Sequence, residues 1–137
     1  MPLLYRDAPL NSIWEGSGNV AALDVLRAMA KEPEGLSVFM SECEFASGAD
    51  SRLDAHLQRV REETQSLFGA EEPQFHARRI VEDLAVGLQA SLLVRHSPPA
   101  VADAFCAARL GGDRGRVYGT LPPGVHANAI IDRALPA

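Results

Sequence analysis

The stretch NSIWEGSGNV, Asn11 to Val20, holds the sharpest chemical arrangement in the sequence. One carboxylate, Glu15, stands between Trp14 and the run Gly16-Ser17-Gly18. A carboxyl group partly shielded from water by an indole holds its proton to higher pH. That is the property of a general base working near neutrality. Gly16 has no Cβ, so a ligand can come close to the backbone there. The helix expected just after this run offers free N–H groups and the positive end of its dipole to a phosphate or another anion. The plainer reading is a helix-entry turn with a surface acid, stabilised by the dipole alone. The residue types by themselves favour that plainer reading.

The rest of the sequence offers weaker arrangements. It contains no HExxH, no GxSxG and no P-loop. His56, His76, His96 and His126 are scattered, with no carboxylate or cysteine at ligand spacing. They are expected at the surface or at element ends, with no metal bound. Arg59 with Arg61, and Arg78 with Arg79, could meet phosphate. Glu62, Glu63, Glu82 and Asp83 follow three or four residues later, which favours a salt-bridged, solvated face instead. Cys43 and Cys106 show neither CxxC nor metal spacing, and are expected to be reduced core residues of a cytosolic, cytoplasmic protein.

Charge narrows the field. Net charge is −5, and all of it falls in residues 1–50, where three basic side chains face eight acidic ones. The remainder is balanced, which argues against a non-specific nucleic-acid binder. No apolar run approaches the ~20 residues of a membrane span. The start MPLLYRDAPL lacks the basic and apolar regions of a signal peptide.

Helices must position these groups. Residues 1–18 read as irregular, punctuated by Pro2, Pro9, Gly16 and Gly18. A helix follows from Asn19 to about Lys31, with Val20, Leu23, Leu26 and Ala30 on one face, and Pro33 ends it. The pattern predicts further helices over Gly35–Ala46, Ser51–Phe68, Pro73–His96, one to about Leu110, and a short one over His126–Ala134. Ser51 with Asp54 resembles a capping box. Ser97 reads as a cap, with Pro98 at the first helical position. Period-2 alternation is absent. The expected fold is all-α, a bundle of four to five helices, with residues 1–18 a motif-bearing segment leading into one helical domain over 19–137.

The residues from Leu4 to Met29 carry a resemblance. LYRDAPLNSIWEGSGNVAALDVLRAM is similar to a signature near the C-terminus of acyl-CoA dehydrogenases. Tyr5-Arg6-Asp7 matches its first element and Ile13-Trp14-Glu15-Gly16-Ser17 its second. Trp14, Ser17, Gly18-Asn19 and the later SPPAVADAFCAARLGG resemble the alkylation-response, AidB-type branch. The resemblance is strong over 4–29 and weaker to about residue 112.

The resemblance implies roles. Glu15 would be the catalytic base that removes the α-proton of an acyl-CoA thioester, while a flavin takes the β-hydrogen as hydride. Gly16 would lie against substrate. Ser17, Gly18 and Asn19 would help hold FAD, often across a subunit interface. The family's flavin-ring site and most of its acyl-CoA pocket precede this motif. The chain alone is therefore expected to be a fragment that neither binds FAD tightly nor catalyses dehydrogenation. The AidB-type branch also implies double-stranded DNA as an alternative partner, with Arg27, Arg59, Arg61, Arg78, Arg79, Arg114 and Arg116 as the candidate contacts. Family architecture further implies a homo-oligomer.

Overall fold

The structure, a computed structural model, describes residues 2–12, 18–69, 71–112 and 121–134. Among them are seven α-helices and no strand, so the all-α expectation holds. The helices are α1 (Pro2–Asp7), α2 (Gly18–Lys31), α3 (Pro33–Glu44), α4 (Ser51–Leu67), α5 (Ala77–His96), α6 (Pro99–Arg109) and α7 (Ala127–Ala134). Two 3₁₀ turns, Ala8–Ser12 and Pro73–His76, follow α1 and precede α5.

α5 is the axis of the bundle and packs against α2, α3, α4 and α6. Its long apolar period lets it serve several neighbours at once. Leu53, Leu57 and Val60 of α4, Ile80 and Leu84 of α5, Met40 and Cys43 of α3 and Cys106 of α6 form one continuous core. α4 and α5 approach closely at Gly87. A Cβ there would stand 3.1 Å from Leu57 Cδ2 and 3.5 Å from the His56 ring. Polar core atoms are bonded. The Ser91 hydroxyl donates to the Cys43 carbonyl at 3.0 Å, tying α5 to α3, and Thr64 donates to the Val60 carbonyl at 2.8 Å within α4. Both cysteines are free and buried, as expected.

Several helix ends differ from the sequence expectation. Residues 2–12 are helical rather than irregular. Proline is tolerated in a first turn, where its missing N–H has no partner to lose, so Pro2 opens α1. Pro33 does not only follow α2: it occupies the first turn of α3. Asp50, not Ser51, caps α4, its carboxylate accepting from the N–H groups of Arg52 and Leu53. Asp54 instead accepts from the Gly48 N–H at 3.1 Å, across a turn where Gly48 has φ +81°. Ser97 turns backward and donates to the Leu93 carbonyl at 2.6 Å, leaving Pro98 as the cap position and Pro99 as the first residue of α6.

Candidate functional site

Glu15, Gly16 and Ser17 lie outside the described residues, and so do Arg114 and Arg116. Gly18 and Asn19 are described: they are the first two residues of α2. Arg78, at the start of α5, reaches across to them. Its Nη1 donates to Asn19 Oδ1 at 3.2 Å. A Cβ placed on Gly18 would stand 2.7 Å from the same nitrogen. The guanidinium therefore lies over the opening turn of α2, in space that only a glycine leaves free. A cation and an amide meet at the opening turn of α2, the end of a helix where the dipole favours negative charge. Nothing in the sequence links Arg78 to Asn19, which is 59 positions away.

The other described candidate arginines are drawn to carboxylates. Arg27 pairs with Asp24 at 2.9 Å on α2. Arg61 pairs with Glu44 across α3 and α4. Arg59 and Arg79 converge on Glu63 at 3.0 and 2.9 Å. The i,i+4 pairing expected from the sequence is present in Arg59–Glu63. The structure brings Arg59 and Arg79 together, but around acids rather than on an open basic face.

One cluster went unread in the sequence. His56 is only 5% exposed and Asp83 only 6%, against the expectation of a surface histidine and a solvated acid. The Arg59 guanidinium grips Asp83 with both terminal nitrogens, each at 3.0 Å. One of those nitrogens also lies 3.0 Å from His56 Nδ1. A guanidinium only donates, so Nδ1 accepts, and the imidazole proton sits on Nε2. Nε2 then donates to the Asp83 carbonyl at 2.8 Å. The hydrogen bonds that Arg59 donates to Asp83, more than the one it donates to Glu63, hold its guanidinium charged far above its ordinary range. The available signal was position: His56 falls on the Leu53, Leu57, Val60 stripe of α4.

A cleft of about 450 Å³ opens between α2, α3 and α5, walled by Val25, Met29, Leu36, Phe39, Leu84 and Leu88. Among the described residues, Glu32 is the one charged residue that lines it. Among the described residues, no group of three or more His, Cys, Asp or Glu side chains is placed to hold a metal ion, and no helix is long and apolar enough to cross a membrane.

No protein-family model and no solved structure matches the chain. AidB of Escherichia coli K12, a candidate acyl-CoA dehydrogenase, is 36% identical over 111 residues, 80% of this chain. Acyl-CoA dehydrogenase family member 11 of Caenorhabditis elegans is 36% identical over 68 residues, half of this chain. The chain spans only 19% of the first relative's length and 11% of the second's. Along that span, the chain is an AidB-type homologue within the acyl-CoA dehydrogenase family.

Proposed function

We propose that this chain supplies the motif-bearing helical part, the C-terminal domain, of an FAD-dependent oxidoreductase that dehydrogenates an acyl-CoA thioester. The observation that carries the reading is 36% identity over 80% of the chain to an AidB-type relative, in a sequence where Glu15-Gly16-Ser17 runs directly into α2. Glu15 is the base in this reading, and Gly16 lets the thioester come close. FAD, when bound, supplies the hydride acceptor that side chains cannot provide. Ser17, Gly18 and Asn19 would help hold it, and the Arg78 guanidinium over the α2 N-terminus would supply positive charge favourable to its phosphates. An α-proton beside a thioester is weakly acidic, so Glu15 must be held close to it and away from bulk water. Closing that environment is the task of the four-fifths of the relative that this chain does not span.

Two measurements test the reading. The isolated chain mixed with FAD is expected to leave the free-flavin spectrum unchanged; stoichiometric binding would overturn the division of labour. In a flavoprotein that contains this chain and is active on an acyl-CoA, Glu15→Gln is expected to abolish α-proton exchange with solvent. Exchange that survived would remove Glu15 from the role of base.

A further inference from the structure

His56, Arg59 and Asp83 join α4 to α5 through contacts that only one protonation state allows. His56 stands on α4 and Asp83 on α5, and both are buried. Arg59 Nη2 donates to both, at 3.0 Å to His56 Nδ1 and at 3.0 Å to Asp83 Oδ1. Nδ1 can accept only while the imidazole is neutral, because an imidazolium donates from both ring nitrogens. A proton on Nδ1 would set a donor against a donor, and one positive charge against another. One of the two groups must then move.

The surroundings decide which. The His56 ring is pinned: Nε2 donates to the Asp83 carbonyl at 2.8 Å, and a Cβ on Gly87 would stand only 3.5 Å from ring Cδ2. Arg59 has room. Its side chain is 34% exposed. Together with His56, Arg52, Gly111 and Gly112, it lines a surface cleft of about 540 Å³. The guanidinium can withdraw into that cleft, and protons can reach His56 through it. Among the described residues, the charged groups around this join are Arg52, Arg59 and Glu63 on α4 and Asp83 and Arg79 on α5, with Asp103 of α6 behind Arg52. Arg52 is bound to Asp50 and Asp103 at 2.6 and 2.8 Å, so Arg59 is the cation that opposes a proton on His56. Both acids keep a counterion after the exchange. Asp83 would accept from Nδ1 with Arg79 still 3.9 Å away, and Glu63 keeps Arg79 at 2.9 Å.

We propose that proton uptake by His56 makes Asp83 change partners, from Arg59 to the imidazolium, and so releases Arg59 from the join of α4 and α5. The sign follows from the closed arrangement. A buried imidazole in contact with a cation binds a proton less readily than the same residue in the unfolded chain. The unfolded residue takes its proton near pH ~6.5. As pH falls below that value the unfolded state binds more protons, so the closed join loses stability. The partner exchange is the folded chain's way to accept the proton without unfolding. It is independent of the dehydrogenase reading.

The test is nuclear magnetic resonance on the whole isotope-labelled chain, titrated from neutral to acid pH beside far-UV circular dichroism. At neutral pH, His56 is expected to carry its proton on Nε2, and Arg59 to show protected guanidinium signals. In acid, loss of those signals is expected in the same step in which Nδ1 gains its proton, with helix content unchanged. His56→Gln cannot titrate but keeps a side-chain acceptor and donor, so Arg59 should stay protected through that pH range. A proton on Nδ1 at neutral pH overturns the proposal. So does an Arg59 that stays protected after His56 is charged, or one released only as the helices unfold. Release at the same pH in His56→Gln would assign the titrating group elsewhere and overturn it as well. The first three outcomes are read on the wild-type chain and need no variant to fold.

Discussion

At the scale of single residues, one guanidinium settles more than any other group. Arg59 holds Asp83 by a two-nitrogen fork and fixes the tautomer of His56. Arg59→Ala would take both nitrogens of that fork from a buried carboxylate, with Arg79 standing more distant at 3.9 Å. Breaking a buried pair from one side typically costs ~3–5 kcal/mol. The outer edge of Arg59 is in water, which places the expected loss near ~2–3 kcal/mol, read as a lower urea midpoint with an unchanged slope. A change under about 0.5 kcal/mol, the range of ordinary surface substitutions, would show that the fork contributes little. Cys106 gives a second expectation. Burial, the largest cause, pushes its thiol up to about 11. The folded chain should therefore resist alkylation at pH ~8, with modification tracking unfolding. In the unfolded chain the thiol ionises first, near the ordinary value of 9.0. The folded state then binds more protons between about 9 and 11, so stability falls as pH rises through that window. A Cys106→Ala variant should reduce that alkaline slope, of which the buried Cys43 thiol, also raised, keeps a part; an unchanged slope would assign it elsewhere.

At the scale of elements, the start of α4 turns on Asp50. Its carboxylate accepts from two backbone N–H groups and binds Arg52 at 2.6 Å. The hydrogen bond from Arg52, ahead of every other cause, holds Asp50 below the usual carboxylate range. The unfolded residue takes up its proton near pH ~3.9, while the folded one resists. Between those values the unfolded state binds more protons, so stability is lost as pH falls through the window. Asp50→Ala should cost ~1–2 kcal/mol at neutral pH by removal of a cap. The gap between variant and wild type should then narrow below pH ~4, in urea titrations run at a series of pH values. A gap independent of pH would mean that the cap works through shape rather than charge. The same element shows what the sequence could and could not say. The period of Leu53, Leu57, Val60, Thr64 and Leu67 located α4 because one apolar face repeats every helical turn. Its cap was displaced by one residue, because Asp50 and Ser51 are both good caps and only backbone geometry chooses between them. α1 was hidden by prolines that read equally well as breakers or as first-turn residues.

At the scale of the whole molecule, the bundle was legible and its cross-links were not. Helical period is local, whereas Arg78–Asn19, Arg59–Asp83 and Arg95–Glu42 join residues 59, 24 and 53 positions apart. Such pairs depend on which helices become neighbours around α5, and no short window of sequence holds that information. These links also decide how the molecule meets a polyanion. Duplex DNA binding draws on released counterions, and needs arginines free to neutralise phosphates. Net charge here is −5. Arg27, Arg59, Arg61 and Arg79 each already face a carboxylate. A phosphate would have to displace an acid held near 3 Å from Arg59 and Arg79 on the very groups it needs. Among the described candidates, Arg78 is bound to an amide instead and offers a single contact. A duplex titration at low and high salt is therefore expected to show no saturable, salt-sensitive complex. A micromolar or tighter complex that weakens steeply as salt rises would overturn that expectation. It would mean that the arginines leave their carboxylates when DNA is present.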